Sequence, residues 1–132
     1  MSRTATVLAV LTGAAFTFFG LNFLLNGAGA ASGFGISPWP EGNAAGYFVV
    51  KGVRDLALGA TAFTLLALGQ RRALGWVVLA DVLVPAGDAA AVLGNGGSVA
   101  VALGVHASAA AVVLLTAVLL LVEQARRRRS VA

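Results

Sequence analysis

Four long apolar stretches most constrain what this chain can fold into. They cover about residues 4–25, 47–68, 73–93 and 99–122. A helix of roughly 20 residues crosses the ~30 Å hydrocarbon core of a bilayer, and each stretch reaches about that length. Charged residues make up 11% of the chain and hydrophobic residues 59%, whereas soluble domains contain about 25% charged residues. The sequence therefore predicts one all-α integral membrane domain over residues 1–132, a four-helix transmembrane bundle.

The first stretch has a second interpretation, a cleaved signal peptide. Arg3 resembles the basic start of such a peptide, and Ala28-Gly29-Ala30 resembles a cleavage site. However, the apolar run is longer than the roughly 7–15 residues of a signal peptide, and Asn22 and Asn26 interrupt its end. We therefore favour a retained transmembrane helix.

Basic residues in the short flanks predict the orientation. Arg3, Arg71–Arg72 and Arg126–Arg129 fall on one side of an up-down-up-down topology, whereas Glu41 is the charged residue of the loops on the other side. The positive-inside rule then places both termini in the cytoplasm, and we expect a multi-pass protein of the plasma membrane. The terminal arginine run is expected to face anionic lipid, and nucleic acid is not an expected partner.

Residues 27–46 form a predicted connector that is rich in Gly, Ala and Ser. Pro38 and Pro40 flank Trp39 and prevent a regular helix there, and Trp39 suits the membrane interface. The segment Phe34-Gly35-Ile36 is either part of an interfacial loop or a hydrophobic lid that dips back toward the bundle. At the other end of the chain, residues 123–132 are predicted to form a polar, frayed tail.

Small residues are expected at the helix contacts. Gly52 and Gly59 lie one heptad apart on the second predicted helix, and Gly104 and Ser108 have the small-xxx-small spacing on the fourth. Such spacing lets helix backbones approach closely in membranes.

Charged residues inside the second predicted helix need an explanation. Lys51, Arg54 and Asp55 stand at i, i+3 and i+4, so they share one helix face. Each charge costs at least ~2.5–3.5 kcal/mol at the centre of a membrane helix, and such residues face the bundle interior or a wet cavity. Asp81 and Asp88, seven residues apart on the third helix, share a face as well. We therefore expect both faces to point inward.

Helix rise predicts which of these groups lie at the same depth. Arg54, Asp88 and His106 fall at about 12, 8 and 10 Å from the outer ends of their helices. Asn22 reaches the same outer layer from the first helix. Asp81 lies deeper, at roughly 18 Å. Lys51 is shallow enough that its ammonium group is expected to turn toward the outer interface.

The charges of these residues are predicted to be unbalanced by one. Lys51 and Arg54 are outnumbered by Asp55, Asp81 and Asp88. A net buried charge is expensive, so either His106 is protonated or one aspartate is neutral. Asp81, farthest from the basic residues, is the candidate neutral aspartate. Pro85 cannot donate an N–H to the carbonyl of Asp81, which leaves that carbonyl free as an acceptor.

The polar residues together indicate acid/base chemistry on a lipophilic small molecule. In this interpretation Asp55 and Asp88 form the acid/base pair, Arg54 anchors or polarises, and His106 orients water. Such a set suits a hydrolase, isomerase or cyclase that performs epoxide opening, cyclisation or double-bond isomerisation. The supporting or substrate-binding candidates are Asn22, Phe34, Trp39, Lys51 and Asp81.

Neither a metal nor another cofactor is expected. The sequence contains no HxxxH or ExxH pairing and no cysteine, so the metal-ligand patterns are missing. The expected partners are membrane lipids and the lipophilic small molecule, and a homo-oligomer is compatible with the fold.

Three other interpretations of the same residues remain open. The ion pairs can simply fix the register of the helices, as buried pairs do elsewhere. A transporter can use Asp81 as a membrane carboxylate for proton coupling, although four-helix multidrug exporters carry that acid on their first helix. A non-catalytic accessory subunit that binds lipid or quinone demands least of these residues.

The block Lys51-Gly-Val-Arg-Asp-Leu-Ala-Leu-Gly59, with Phe34-Gly35 before it and Pro85-Ala-Gly-Asp88 and His106 after it, carries a resemblance. Over about residues 5–122 the chain resembles a family of small four-helix integral membrane proteins of actinobacteria and fungi, catalogued as a domain of unknown function. The resemblance implies a four-helix architecture and marks Arg54, Asp55, Asp88 and His106 as signature positions. It implies no activity.

Overall fold

A computed structural model describes residues 3–129 and shows a helical chain without β-strands in this range. Its α-helices are α1 (Arg3–Leu25), α2 (Gly27–Phe34), α3 (Gly46–Ala67), α4 (Arg71–Asp81), α5 (Leu83–Gly94), α6 (Val99–Val101) and α7 (Ser108–Arg129). A 3-10 turn (Gly42–Ala45) precedes α3, and a π-helical segment (Ala102–Ala107) joins α6 to α7.

Three helical stretches are long and apolar enough to cross a membrane. They are Arg3–Leu25, Arg71–Gly94 and Val99–Arg126. The helix α3 is about as long as α1, but it carries three charged residues in its first half, as the sequence predicted. The composition of the described helices therefore indicates a membrane protein.

Helices α1 and α3 pack closely through glycines. Gly13 lies against Phe63, while Gly20 lies against Leu56 and the carbonyl of Gly52, so the two helices run antiparallel. A Cβ atom at Gly20 would come within 2.8 Å of that carbonyl oxygen, a distance that no side chain tolerates without a backbone shift. The predicted contact through Gly52 is confirmed, and its partner on α1 is Gly20.

The second antiparallel pair consists of α4 and α7. Gly75 of α4 lies against Leu120 and Leu121 of α7, and the buried side chains Leu74 and Val78 flank this contact. The predicted small-residue contact at Gly104 is wrong, because a Cβ atom there would meet nothing within 4 Å. The described residues thus form two helical hairpins whose long helices pack in pairs.

The two hairpins meet most tightly at one end of the molecule. The Oγ1 atoms of Thr12 and Thr116 lie 3.3 Å apart and are buried, which ties α1 to α7. The main hydrophobic core surrounds this end and consists of Ala5, Ala9, Phe16, Ala62, Leu74, Val78, Val113, Ala117 and Leu120. We call this region the closed end.

Residues 27–34, predicted to be part of an irregular connector, form the helix α2. The helix follows α1 almost without a break, since the Asn26 N–H donates to the Asn22 carbonyl and the Ala30 N–H donates to the Asn26 carbonyl. Ala30 and Ala31 are buried beside Phe23, and this burial stabilises a short helix that contains three glycines. The helix ends at Gly35, whose φ of +99° is a left-handed conformation that favours glycine.

Two other boundaries also differ from the sequence prediction. The third predicted helix is interrupted at Val82, between α4 and α5, because Pro85 has no N–H to donate to the Asp81 carbonyl. The predicted frayed tail instead continues α7 as far as Arg129, and its first residue, Glu123, pairs with Arg71 of α4. Residues 130–132 of that predicted tail lie outside the described range.

Candidate functional site

Two basic and two acidic side chains meet at the end of the molecule opposite the closed end. The Nζ atom of Lys51 lies 3.2 Å from Oδ2 of Asp55 and 3.3 Å from Oδ2 of Asp88. Nη2 of Arg54 lies 2.9 Å from Oδ1 of Asp55 and 3.7 Å from Oδ2 of Asp88. We call these four residues the ionic cluster. Each carboxylate faces both cations, so the formal charges balance to zero without a contribution from His106 or Asp81.

Lys51 lies at the centre of the ionic cluster. Besides its two ion pairs, its ammonium group lies 5.0 Å from the ring centroids of both Phe23 and Phe34. Ring faces attract a cation electrostatically, so the aromatic contacts add to the ion pairs. The expectation that Lys51 turns to the outer interface is therefore wrong. Arg54 is the more exposed of the two, with 41% of its side chain accessible against 20% for Lys51.

His106 is buried beside Phe34 rather than paired with a carboxylate. Its Nε2 atom lies 2.8 Å from the backbone carbonyl oxygen of Phe34, and the two ring centroids are 4.6 Å apart. A carbonyl oxygen can only accept a hydrogen bond, so Nε2 carries a proton. In the neutral ring this leaves the lone pair on Nδ1. The hydrogen bond holds the end of α2 against the π-helical segment.

A cavity of ≈ 500 Å³ lies between the two hairpins, and we call it the main cavity. Most of its wall is apolar, with Phe16, Phe19, Phe23 and Val113 among the lining residues. Its ionisable lining residues come from three separate elements: Lys51 and Asp55 from α3, Asp88 from α5 and His106 from the π-helical segment. Asn22 lines the cavity from α1. The structure thus brings these predicted site residues to one cavity.

The matched region of the chain contains this whole arrangement. A family model described as a domain of unknown function (DUF4267) matches residues 13–120. The chain belongs to this family. The match confirms the resemblance to an uncharacterised family, and its description assigns no activity. No curated protein and no solved structure matches the chain.

Three predicted site residues of this DUF4267 domain lie outside the main cavity. Arg54 contacts Asp55 but does not line the main cavity. Asp81 is buried on α4 and does not line the main cavity either. The Oδ2 atom of Asp81 has no hydrogen-bond partner among the described residues. Trp39 packs against the small cluster of Phe23, Ala30 and Ala31. Its side chain lines a second, outer pocket.

The main cavity is open at the side of the domain. Lining residues on α1 (Leu11, Phe19) and on the opposite wall (Val105, Val112) are between 44% and 56% exposed. The exposed residues at this opening are therefore apolar.

Within residues 3–129, no group of three His, Cys, Asp or Glu side chains is arranged so that it could hold a metal ion. The carboxylates of the ionic cluster are instead directed at Lys51 and Arg54. His106 uses one ring nitrogen to bind a backbone carbonyl.

Two elements that shape the site are not apparent from the sequence. The helix α2 and the π-helical segment were not predicted, although the first supplies the Phe34 carbonyl and the second carries His106. A π-helical turn inserted in an α-helix often marks a functional site. No pattern in residues 102–107 signals it, so it appears only in the folded chain.

Proposed function

We propose that the DUF4267 domain is a four-helix transmembrane bundle in the plasma membrane. The spans would be α1, α3, α4 with α5, and the stretch from α6 to α7, with up-down-up-down topology and both termini in the cytoplasm. The antiparallel contacts within each hairpin support this topology. Arg71, the first residue of α4, contacts Thr6 near the start of α1 and Glu123 in the last part of α7. These contacts support a topology in which Arg71 lies on the same side as both of these helix ends, and the positive-inside rule would make that side cytoplasmic.

In this arrangement the domain would be a small membrane enzyme that performs acid/base chemistry on a lipophilic small molecule. One observation carries the proposal, namely an apolar cavity that has exposed apolar residues at its opening and ends on the ionic cluster and a histidine. Ligand sites in proteins are typically apolar pockets with a few convergent polar groups. Structural ion pairs need no such cavity beside them.

Asp88 would be the group that exchanges a proton with the substrate. Its side chain is 18% exposed and lines the cavity, whereas the Asp55 side chain is 4% exposed and faces both Lys51 and Arg54. Asp55 would therefore hold the two cations in place. His106 would orient water or the substrate oxygen through Nδ1, since its Nε2 is engaged. Arg54 would position Asp55 without touching the substrate.

The reactions that suit this set are epoxide opening, cyclisation and double-bond isomerisation. In each of them a proton is added to an oxygen or an alkene carbon and another is removed from water or from a neighbouring carbon. A positioned carboxylate with a histidine can serve both steps. Such reactions occur within one lipophilic molecule, or between it and one water.

Isotope incorporation tests this proposal with a panel of compounds in place of a single substrate. Purified protein in nanodiscs would be given lipophilic epoxides and polyenes in heavy-oxygen water and in deuterated water, with the products analysed by mass spectrometry. We expect a labelled product that disappears with Asp88→Asn and persists with Glu41→Gln, an exposed carboxylate in the connector. Binding of panel members without any labelled product would contradict the enzyme proposal.

Transport or an accessory role is the second candidate, and Asp81 favours it. This residue is 7% exposed, lies where the span is interrupted at Val82, and leaves Oδ2 without a hydrogen bond among residues 3–129. Isolated ionisable groups inside membranes often serve proton relays. Proton-driven uptake into vesicles that is lost with Asp81→Asn would support a transporter. Saturable lipid or quinone binding without turnover or uptake would support an accessory subunit.

A further inference from the structure

A second pocket lies at the same end of the domain as the ionic cluster. It has a volume of ≈ 410 Å³, and we call it the outer pocket. Five aromatic side chains contribute to its wall: Phe23, Phe34, Trp39, Tyr47 and Phe48. Tyr47 is 70% exposed, so the pocket opens at the surface of the domain. None of the chemistry proposed for the main cavity uses this pocket.

The charges around the two cavities differ in sign. The outer pocket is lined by Lys51 and Arg54 and by no carboxylate within the described part of the chain. The main cavity is lined by Asp55 and Asp88 and, among the described residues, by Lys51 as its one Lys or Arg side chain. An anion in the outer pocket would thus meet two cations directly, while the carboxylates lie behind them.

Arg54 is available to such an anion. Its side chain is 41% exposed, and its ion pairs use Nη2 and Nε on the side that faces Asp55. Guanidinium groups bind carboxylates through parallel N–H donors, a geometry that adds orientation to charge. A cation in this pocket would instead be repelled by both basic residues.

The outer pocket also offers surface for a hydrocarbon chain. Phe48 and Trp39 form its wall, and Val50, 64% exposed, extends it along the exposed apolar side of α3. Phe23, Phe34 and Lys51 line both cavities, so they separate the outer pocket from the main cavity. A ligand here would lie one side chain away from the ionic cluster.

From these observations we infer that the outer pocket is a binding site for a long-chain alkyl monocarboxylate. Its carboxylate binds Arg54 beside Lys51, and its alkyl chain lies on the aromatic wall and leaves along α3. The site shares Arg54 and Lys51 with the ionic cluster, but binding of the carboxylate requires neither Asp88 nor turnover.

The fluorescence of Trp39 can report ligand binding in the outer pocket. It has two tryptophans, of which Trp39 lines the outer pocket and Trp76 is 55% exposed on α4. In a Trp76→Phe variant in nanodiscs of zwitterionic lipid, we expect α-bromohexadecanoate to quench Trp39 fluorescence with saturation. Unbrominated hexadecanoate should reverse the quenching at least roughly tenfold more effectively than hexadecanol, because a charge-assisted hydrogen bond is lost with the alcohol. Hexadecyltrimethylammonium should not compete.

Two matched variants complete the experiment. Trp39→Phe, which keeps Trp76, reports quenching by fatty acid dissolved in the bilayer and should show no saturation. Arg54→Gln should remove the preference for the carboxylate over the alcohol, whereas Arg72→Gln, at an exposed arginine of α4, should keep it. Equal competition by acid and alcohol in the Trp76→Phe protein would overturn the inference. So would displacement of the bromo acid by anionic phospholipid at the same mole fraction, which would identify a general anionic-lipid surface instead.

Discussion

Arg71 and Lys51 each bridge two helices through acidic partners, yet their surroundings differ. The Arg71 guanidinium lies 3.4 Å from the Glu123 carboxylate and donates to Thr6 at 2.9 Å, with 7% of its side chain exposed. Around it, small and branched residues of the closed end fill the space between helices. Lys51 also bridges two helices, but its ionic cluster borders a cavity of ≈ 500 Å³.

This difference separates a structural ion pair from a candidate site. A pair that only holds helices together is most effective where no space remains around it, as at Arg71. Four charged groups beside an open cavity leave apolar wall and polar atoms accessible to a ligand. The comparison therefore supports a structural role for Arg71 with Glu123 and a binding role for the ionic cluster.

Arg71→Met should have the largest effect on stability. It leaves the Glu123 carboxylate without the guanidinium, and breaking a buried ion pair on one side typically costs about 3–5 kcal/mol. Denaturant unfolding in bicelles would measure the loss. The double variant Arg71→Met with Glu123→Met should recover most of it. A loss below about 1 kcal/mol, the range of exposed pairs, would remove the distinction between the two ends.

Lys51→Met should destabilise the domain less, by about 1.5–3 kcal/mol, as expected for the loss of hydrogen bonds between charged groups. Arg54 remains 2.9 Å from Asp55 and 3.7 Å from Asp88, so neither carboxylate loses both cations. The same unfolding measurement applies, with Arg72→Met as an exposed control. A larger loss than for Arg71→Met would show that the ionic cluster is the main structural contact.

The unfolding free energies of Gly75→Ala, at the closed end, and Gly33→Ala, beside the main cavity, would compare how tightly the two ends are packed. A Cβ atom at Gly75 would come within 2.9 Å of the Leu121 side chain, so overpacking should cost about 1–3 kcal/mol. A Cβ atom at Gly33, which lines the main cavity, would meet nothing within 4 Å. That variant should be neutral or stabilised by up to about 1 kcal/mol through its better helix propensity. Equal losses would indicate that the main cavity is filled when the protein is in lipid.

Asp88→Asn should have a small effect on stability and the largest effect on function. The residue is 18% exposed, and an amide of the same shape keeps a contact with Lys51, so we expect a loss below about 1 kcal/mol. Isotope incorporation by the proposed enzyme should fall to background. If a folded Asp88→Asn protein retained turnover, a group other than Asp88 would perform the acid/base step.

Several features could be predicted because they depend on local sequence. Apolar stretches of membrane-spanning length predicted α1 and the helical stretches Arg71–Gly94 and Val99–Arg126. The spacing of Lys51, Arg54 and Asp55 predicted their common face, and helix rise predicted that Asp88 and His106 would lie at a similar level. These inferences need only the geometry of one helix and the cost of an unpaired charge in hydrocarbon.

Other features depend on contacts between segments distant in sequence. The short helix α2 contains three glycines, and it is stabilised because Ala30 and Ala31 pack beside Phe23. The seven-residue spacing predicts that Asp81 and Asp88 share a face, but the interruption at Val82 and the packing of α4 separate Asp81 from the main cavity. The ion pair of Glu123 with Arg71 extends α7 beyond its predicted end.

The sequence alone determined that this protein is helical and apolar and that several of its charged residues lie at one level. That information is local, because the composition of each segment and the spacing of residues along one helix are enough to obtain it. Only the tertiary structure decided that Lys51 lies at the centre of the ionic cluster, that His106 binds the Phe34 carbonyl and that a cavity remains beside them. Side-chain direction and empty space arise from the way separate elements pack, and no single segment encodes them.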